Sequence, residues 1–597
     1  MATKSSNLSA LDKNWQAKKI DHRQILRITQ QYGISEILAK LLNIRNVDFD
    51  EINNFLNPKI KNYLPNPFDL MDMDVAVEAI IDAIASKKKI TIFGDYDVDG
   101  ATSSAMLKRY FLELGVICEI YIPDRILEGY GPNSQALENL KNNHTDLVIM
   151  VDCGTVAFEP LEYAKKIGLE IIVIDHHLGV TNKPKAIAVI NPNFLNEKFL
   201  YKNICAAGVV FLFLVAINKS LRNIKFFDKI KEPDLLNFLD LVALGTVCDV
   251  MPLTGLNRAF VTAGLKIMQQ RKNIGIKVIC DNAQLNSAPS SYSLGFVIGP
   301  RINAGGRVGT SNLGATILAS EDELEANKIA IKLEELNNNR KKIENDVLAQ
   351  AIDNLENNIQ NFSKKDAVIF AVGYDWHQGV IGIIASRLKD LYQKPVAVIT
   401  IDSSTNKAKA SCRSISGVDF GVEILKAKLN GLIIDGGGHA MAGGFSVEIA
   451  KIKILQEFFI KNLANKITEI NEKNLHEFDL EIDSTQINLD LIKELSQMEP
   501  YGNGNPKPKF LIRNLYKIKH DFIGKNQEHL SVIFSSKSNI GYNNTLQGLL
   551  FKANTSSLLT HIINLKNHQG IDVVATTDIN NWMGVEKIKL LIEDIIF

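Results

Sequence analysis

Asp95, Asp97 and Asp99 occupy alternate positions in Gly94-Asp-Tyr-Asp-Val-Asp-Gly100, directly after the apolar run Ile90-Thr-Ile-Phe. Three carboxylates where a strand runs out cannot be buried without counter-charge, because an unpaired ionised carboxylate in an apolar interior is prohibitively costly. Three further apolar, β-rich runs end the same way, at Asp152, at Asp175-His176-His177 and, after Leu-Val-Ala-Leu-Gly-Thr-Val-Cys, at Asp249. Four parallel strands of one sheet would bring these ends to a common edge, where open α/β sheets bind ligands. Asp oxygens with one or two His nitrogens make a hard-to-borderline cation site suited to Mn²⁺ or Mg²⁺. The chemistry expected of such a set is two-metal hydrolysis of a phosphate ester, in which a shared water is acidified and the entering and leaving oxygens are neutralised. Any one Asp taken alone reads better as a helix cap or turn residue; the whole set does not. In Asp175-His176-His177 the acid is placed to orient an imidazole and fix its tautomer, leaving His177 to face the scissile phosphate.

Other segments offer groups for the phosphates themselves. Arg301, Asn303 and Arg307 sit among glycines in what reads as a loop, and a guanidinium fork binds phosphate bidentately. Gly436, Gly437, Gly438 and His439 offer exposed backbone N–H groups and an imidazole, a phosphate cradle without a Walker lysine. Arg413 and Ser414 can add a guanidinium and a hydroxyl to the same strand. Aromatic residues amount to 7%, so extensive base stacking is not demanded. Tyr130, Tyr501 and Phe510 are stacking candidates, with packing in cores and turns as the competing reading.

Asp175-His176-His177 resembles the signature of the DHH phosphoesterase superfamily, and the other acidic run ends resemble its companion motifs. Gly-Pro-Arg301-Ile-Asn303-Ala-Gly-Gly-Arg307, Trp376-His377 through Arg387, and Gly436 through Phe445 are similar to one branch, the RecJ family of bacterial single-strand-specific exonucleases. The resemblance runs from about Leu64 to the C-terminus. It implies Asp152 as bridge between two cations, Asp97 on one, and Asp99, His176 and Asp249 on the other. Asp95 is left open: Phe93 stands where the pyrophosphatase branch has a metal-binding His, and Asp95 is the group that could compensate. The resemblance also implies Mn²⁺- or Mg²⁺-dependent hydrolysis of single-stranded DNA from its 5′ end to 5′-mononucleotides, in repair and recombination. By family, single-strand-binding protein and a RecQ-type helicase are expected partners. Two rivals stand beside this reading: a DHH phosphodiesterase acting on short oligonucleotides or cyclic dinucleotides, and a non-catalytic single-strand-binding replication factor on a decayed core. The complete acidic set speaks against the second.

The elements that must position these groups follow from pattern. A chain of 597 residues is too long for one core. Residues 1–62 read as a helical segment, 63–319 as an α/β metal-bearing domain of βαβ units, and 320–360 as a connecting helix. A second α/β domain of the DHHA1 type is expected over 361–468 and, after a charged linker near 465–475, an oligonucleotide-binding β-barrel over 475–597. Ser320 and Glu323 look like a capping box at the start of the connecting helix. Sixty-seven basic and sixty-seven acidic residues cancel, which neither favours nor excludes nucleic acid, since binding needs only a local basic stripe. Six cysteines without CxxC spacing read as reduced thiols and not a zinc site. The N-terminus opens no apolar signal segment, no run approaches the length of a membrane span, and the cytoplasm is the expected compartment.

Overall fold

The computed structural model describes residues 9–125, 128–129, 131–357, 366–536, 545–566, 569–582 and 585–597. Tyr130 lies outside them. The chain forms two compact units: Leu64–Met251 with Ala263–Lys473, and the N-terminal residues up to Tyr63 with Pro252–Thr262 and Asn474–Phe597. Its first elements are strand β1 (Asn14–Ala17) and two helices, His22–Tyr32 and Glu36–Ile44, whose first turns are capped by the side chains of Asp21 and Ser35.

In the larger unit β2 (Ile90–Gly94), β3 (Cys118–Tyr121), β4 (Leu147–Val151), β5 (Glu170–Ile174) and β6 (Ala188–Ile190) form a sheet of order β3-β2-β4-β5-β6, parallel throughout. β2 and β4 are buried along their whole length, which matches their largely apolar sequence; the hydroxyl of Thr91 in β2 meets that of Thr145 at 2.9 Å. The chain leaves β2 toward β3 on one side and comes back to β4 on the other, so the topological switch falls between β2 and β4. Register pairs Gly94 with Val151, and Val151 with Ile174. The residues that follow, Asp95, Asp152 and Asp175, therefore leave the sheet side by side.

The run before Asp249 is not the fourth strand expected. It is a helix, Leu239–Cys248, in which every residue from Leu239 to Thr246 is buried. An apolar run without periodicity fits a buried strand or a buried helix, and ten residues is a helix length. The helix Ala206–Asn223 corrects a second expectation, since it is long and apolar enough to cross a membrane. It is 72% buried within the protein and packs on the helices Met73–Ala85 and Val98–Glu113, which accounts for its composition.

Helix Glu323–Asn357 has 35 residues, about 52 Å at 1.5 Å per residue. Its cap is Asp322, whose Oδ1 accepts the Leu324 N–H at 2.8 Å; the Ser320 hydroxyl receives the Asp322 N–H instead. The early part of the helix packs on Ile274–Asn282 and Gly299–Val308. Later, Val347, Ala351 and Leu355 join the core under the second sheet. There, buried Glu344 accepts from Arg340 at 2.6 Å and pairs with Arg387 of the helix Gln378–Tyr392. That sheet contains β7 (Ile369–Tyr374), β8 (Val396–Asp402), β9 (Lys407–Arg413), β10 (Asp435–His439) and β11 (Ala442–Glu448), in order β10-β11-β9-β8-β7. The glycine-rich stretch is thus the edge strand β10, hairpin-paired with β11, and not a loop. The helix Ile452–Lys473 runs through the segment expected to be a linker.

In the smaller unit β12 (Leu475–Phe478) pairs in parallel with β1. Then β13 (Leu480–Asp483), β14 (Lys509–Ile523), β15 (His529–Ser535), β16 (Thr545–Leu550), β17 (Gly570–Trp582) and β18 (Val585–Ile596) form a sheet of order β13-β14-β15-β16-β18-β17. β14 also pairs with β17, so five strands close into a barrel. Its core includes N-terminal residues Ile25, Leu38 and Ile52 together with Phe510, Val532 and Ile595. Phe510 is therefore core, and Tyr501 is half-buried against the same core and donates its hydroxyl to the Leu495 carbonyl at 2.6 Å.

Arg258 joins the segments of this unit. It is 1% exposed and donates to the carbonyls of Phe55, Gln497, Glu499 and Pro500 at 2.7–3.3 Å, with its guanidinium 4.1 Å from the Phe55 ring. Burial lowers its pKa to about 10, so it stays charged at neutral pH. Arg258→Met leaves four carbonyls without this donor, and a few kcal/mol of lost stability is expected on the scale of ~1–3 kcal/mol per buried unsatisfied group. Urea unfolding followed by limited proteolysis should show residues 9–63 and 474–597 opening first; an unchanged midpoint would remove Arg258 from this role.

Candidate metal centre

Each acidic group reaches the sheet edge by its own route. Asp95 and Asp152 follow β2 and β4 and are 4% and 2% exposed. Asp97 caps the helix Val98–Glu113, its Oδ1 accepting the Asp99 and Gly100 N–H groups at 2.9 and 3.1 Å. Asp99, on the first turn of that helix, accepts the Ala206 and Ala207 N–H groups at 2.6 and 2.9 Å. Its carboxylate thereby caps the buried helix Ala206–Asn223, whose own N-cap, Cys205, supplies no side-chain bond. Asp249 stands at the C-terminus of Leu239–Cys248. That helix approaches so closely that a Cβ on Gly245 would lie 2.7 Å from Asp99 Oδ1, which only glycine avoids.

Three overlapping sets of ligand atoms result, each within 4.8 Å: Asp95, Asp97 and Asp152; Asp99, His176 and Asp249; Asp152, His176 and His177. His176 Nε2 lies 3.2 Å from Asp152 Oδ1, 3.5 Å from Asp249 Oδ2 and 3.7 Å from Asp99 Oδ2. Asp175 does not face the cluster. Its Oδ1 accepts the His176 and His177 N–H groups at 2.7 and 3.2 Å and meets His177 Nδ1 at 2.8 Å, while its Oδ2 accepts the Thr155 N–H. Asn191 and Asn193 donate to the His177 and His176 carbonyls and hold that turn. Nothing in the sequence marked these two beyond an Asn-Pro-Asn after β6.

The electrostatics fit a cation. Burial first, then the neighbouring carboxylates, push Asp95 and Asp152 well above the usual carboxylate range. Burial and the charges of Asp99 and Asp97 push Asp249 to about 9. Carboxylates this close cannot all ionise on their own, and divalent charge restores them. Asp95 Oδ1 and Asp249 Oδ2 are buried without a hydrogen-bond donor among the described residues. Asp175 behaves oppositely: burial works against its charge, but the hydrogen bond and charge of His177 hold it below the ordinary range. For His177 burial is likewise outweighed by Asp175, and its pKa rises to about 9. Asp152 and Val250 take φ of 62° and 58°, left-handed conformations that cost non-glycine residues about 1–3 kcal/mol and gather at functional sites.

The phosphate-binding candidates divide. Arg301, Asn303 and Arg307 lie on a helix, Gly299–Val308, and not in a loop; Pro300 starts it and its glycines serve close packing. A Cβ on Gly306 would fall 2.8 Å from the Tyr96 carbonyl, so this helix lies directly against the Asp95–Asp99 turn. Arg301 is committed to Glu334 and to the Val297 carbonyl. Arg307 donates to the Gly379 carbonyl at 3.0 Å, and burial plus the charges of Arg125, Arg340 and Arg413 lower its pKa to about 10. Arg125, which the sequence reading passed over, lies 4.8 Å from the Tyr96 ring centroid. Among the described residues Arg125, Arg307 and Arg413 form no ion pair with a carboxylate, and Arg413 bonds the Ser411 hydroxyl and the Cys412 carbonyl. Ser414 is wholly buried, its hydroxyl donating to the Val418 carbonyl, and is not presented to a ligand. Gly437, Gly438 and His439 are exposed on the edge strand β10.

Comparison with known proteins adds three domain matches: the DHH family, N-terminal domain, over residues 89–246; the DHHA1 domain over 365–465; and the RecJ OB domain over 478–594. A single-stranded-DNA-specific exonuclease RecJ of Bacillus subtilis is 30% identical over 587 residues, covering 97% of this chain and 70% of the relative. The Haemophilus influenzae protein of the same name is 30% identical over 582 residues, covering 96% and 99%. Among solved structures, RecJ of Thermus thermophilus in complex with Mn²⁺ superimposes with a TM-score of 0.78 at 24% identity, over 98% of this chain and 79% of that one, a likeness of fold. An exonuclease RecJ bound to manganese has a TM-score of 0.56 at 29% identity, over 67% and 96%.

The carboxylate cluster predicts a measurable stabilisation. Mn²⁺ at about a hundredfold excess over its dissociation constant should stabilise the fold by about 2.7 kcal/mol relative to chelator-treated protein. A melting temperature that rises with Mn²⁺ in the wild type and does not in Asp249→Ala checks the cluster; no rise in the wild type would defeat it.

Proposed function

The chain belongs to the RecJ family of single-stranded-DNA-specific exonucleases, and from that premise we propose that it hydrolyses single-stranded DNA from the 5′ end to 5′-mononucleotides. One arrangement supports the reading: a carboxylate and imidazole cluster at the β2/β4 switch, with the guanidiniums of Arg307 and Arg125, which have no carboxylate partner among the described residues, on elements packed against the same turn. Cations at one end of a phosphodiester and guanidiniums along its neighbours suit a polyanion. In this proposal Asp152 is shared, Asp95 and Asp97 complete one cation site, and Asp99, His176 and Asp249 complete the other. Bound there, Mn²⁺ or Mg²⁺ would neutralise the phosphoryl group and acidify a water.

The chain's own residues do the rest. Asp175 engages Nδ1 of His177, leaves Nε2 as the nitrogen for the scissile phosphate, and favours the protonated ring. Arg307, Arg125 and Arg413 bind backbone phosphates, and the N–H groups of Gly437 and Gly438 with His439 lengthen that path. Phosphate contacts move the strand without reading its bases. The OB-type barrel offers single strands a further binding surface. We place the enzyme in DNA repair and recombination in the cytoplasm, with single-strand-binding protein and a RecQ-type helicase as its partners. A DHH phosphodiesterase confined to short oligonucleotides would have no use for the barrel.

The deciding experiment follows cleavage of 5′- and 3′-labelled single strands and of a duplex, with and without Mn²⁺. A 5′ label released first as mononucleotide, from single strands only and only with metal, is expected; release of the 3′ label first overturns the polarity. Asp152→Ala should fall below a few per cent of wild-type hydrolysis, and higher activity in metal-replete buffer would end its assignment as the shared ligand. His177→Ala should keep its Mn²⁺ stoichiometry by calorimetry while turnover falls about a hundredfold or more.

Salt dependence separates the arginines. Arg307→Ala and His439→Ala should each flatten the plot of log affinity against log salt by about 0.7. Arg301→Ala, whose guanidinium is spent on Glu334, should leave the slope alone and lower the melting temperature. A reduced slope for Arg301→Ala with unchanged slopes for the other two would reverse the assignment.

A further inference from the structure

Tyr292 and Phe296 are 68% and 70% exposed, yet their rings stack at 4.9 Å between centroids with 26° between planes. Two large rings held together in solvent gain little by folding alone. Their mount is unusual. Ser290 and Ser293 form a capping box that opens a single helical turn, followed by a π-turn, Leu294–Ile298, of a kind found mostly at functional sites. Leu294 and Ile298 are wholly buried, so the turn is anchored from below while the two rings face out. The anchor is the helix that ends at Asp249: Cys248 Sγ lies 3.5 Å from the Leu294 carbonyl, and a Cβ on Gly299 would fall 2.5 Å from the same sulfur. The helix Gly299–Val308, carrying Arg307, continues directly from the turn. From Asn282 to Pro300 the chain has no charged residue.

We propose that Tyr292 and Phe296 form a stacking platform for a nucleobase of the single strand being cut. The inference rests on the exonuclease reading and adds a substrate-positioning pair to it. An aromatic pair is sequence-tolerant, because every base has a π-face, and the Arg301 guanidinium that bonds the turn's Val297 carbonyl is already neutralised by Glu334. Rigid attachment to the Asp249 helix couples the position of one base to the position of the bond at the carboxylate cluster. Continuity with that site favours nucleic acid over a protein partner as the occupant.

The test uses full-length protein and a phosphorothioate-linked oligothymidylate that resists hydrolysis, with one abasic spacer moved along it. Wild-type protein should lose about tenfold in affinity at one spacer position near the 5′ end. Tyr292→Ala and Phe296→Ala should bind the intact strand about tenfold more weakly and lose nothing further at that position, whereas Phe296→Trp retains wild-type behaviour. Melting temperatures should not move, because both side chains are exposed. Unchanged affinity in both Ala variants overturns the platform, and so does an equal added loss at every spacer position. Altered self-association with DNA affinity intact makes the pair a protein contact and also overturns it. A wild type that fails to bind the intact strand would sink the exonuclease reading instead.

Discussion

Five aspartates and a histidine crowd one edge of a parallel sheet, and the cost of gathering that much negative charge away from water governs the larger unit. Asp95, Asp99, Asp152 and Asp249 are all pushed toward protonation by burial and by one another. Only a divalent charge, or helix ends and imidazoles aimed at them, relieves it. The surroundings supply a helix end and an imidazole. Asp99 sits on the N-terminus of the buried helix Ala206–Asn223, and His176 stands among three carboxylates. Asp152 and Val250 hold left-handed backbone to keep these groups aimed.

A second imbalance faces the first. Arg125, Arg307 and Arg413 have no carboxylate partner among the described residues, although Arg307 is buried enough to lower its pKa. In the proposed function a polyanion bridging cations and guanidiniums balances both, which would make the electrostatics of binding and of catalysis the same problem. The helix Glu323–Asn357 ties neighbouring elements together: Glu334 holds Arg301, and Glu344 pairs with Arg387 under the second sheet.

The smaller unit shows a different economy, with polar anchoring inside an apolar core. Arg258 spans from Phe55 to Pro500 through backbone carbonyls alone, and Asp479, buried, pairs with Lys18 and Arg45. Through these bonds the N-terminal residues become part of the barrel's core, although they are more than four hundred residues away in sequence. Such anchors specify where segments dock more than they add net stability.

The sequence by itself determined the acidic edge, because a β-rich run ending in Asp is a local signal and the strands β2, β4 and β5 need only pair in parallel to align their ends. The closed barrel and the long amphipathic helix were legible for the same reason: their periodicities are local. It could not determine that Asp249 ends a helix, since a fully buried helix and a fully buried strand are both apolar without a period. It could not show that Arg301 is spent on Glu334, that Ser414 turns inward, or that Tyr292 and Phe296 meet on a π-turn. Those outcomes depend on which distant group arrives beside each side chain. Tertiary packing alone decides that, because a guanidinium, a hydroxyl or a ring has the same local signature whether its partner is the protein or a substrate.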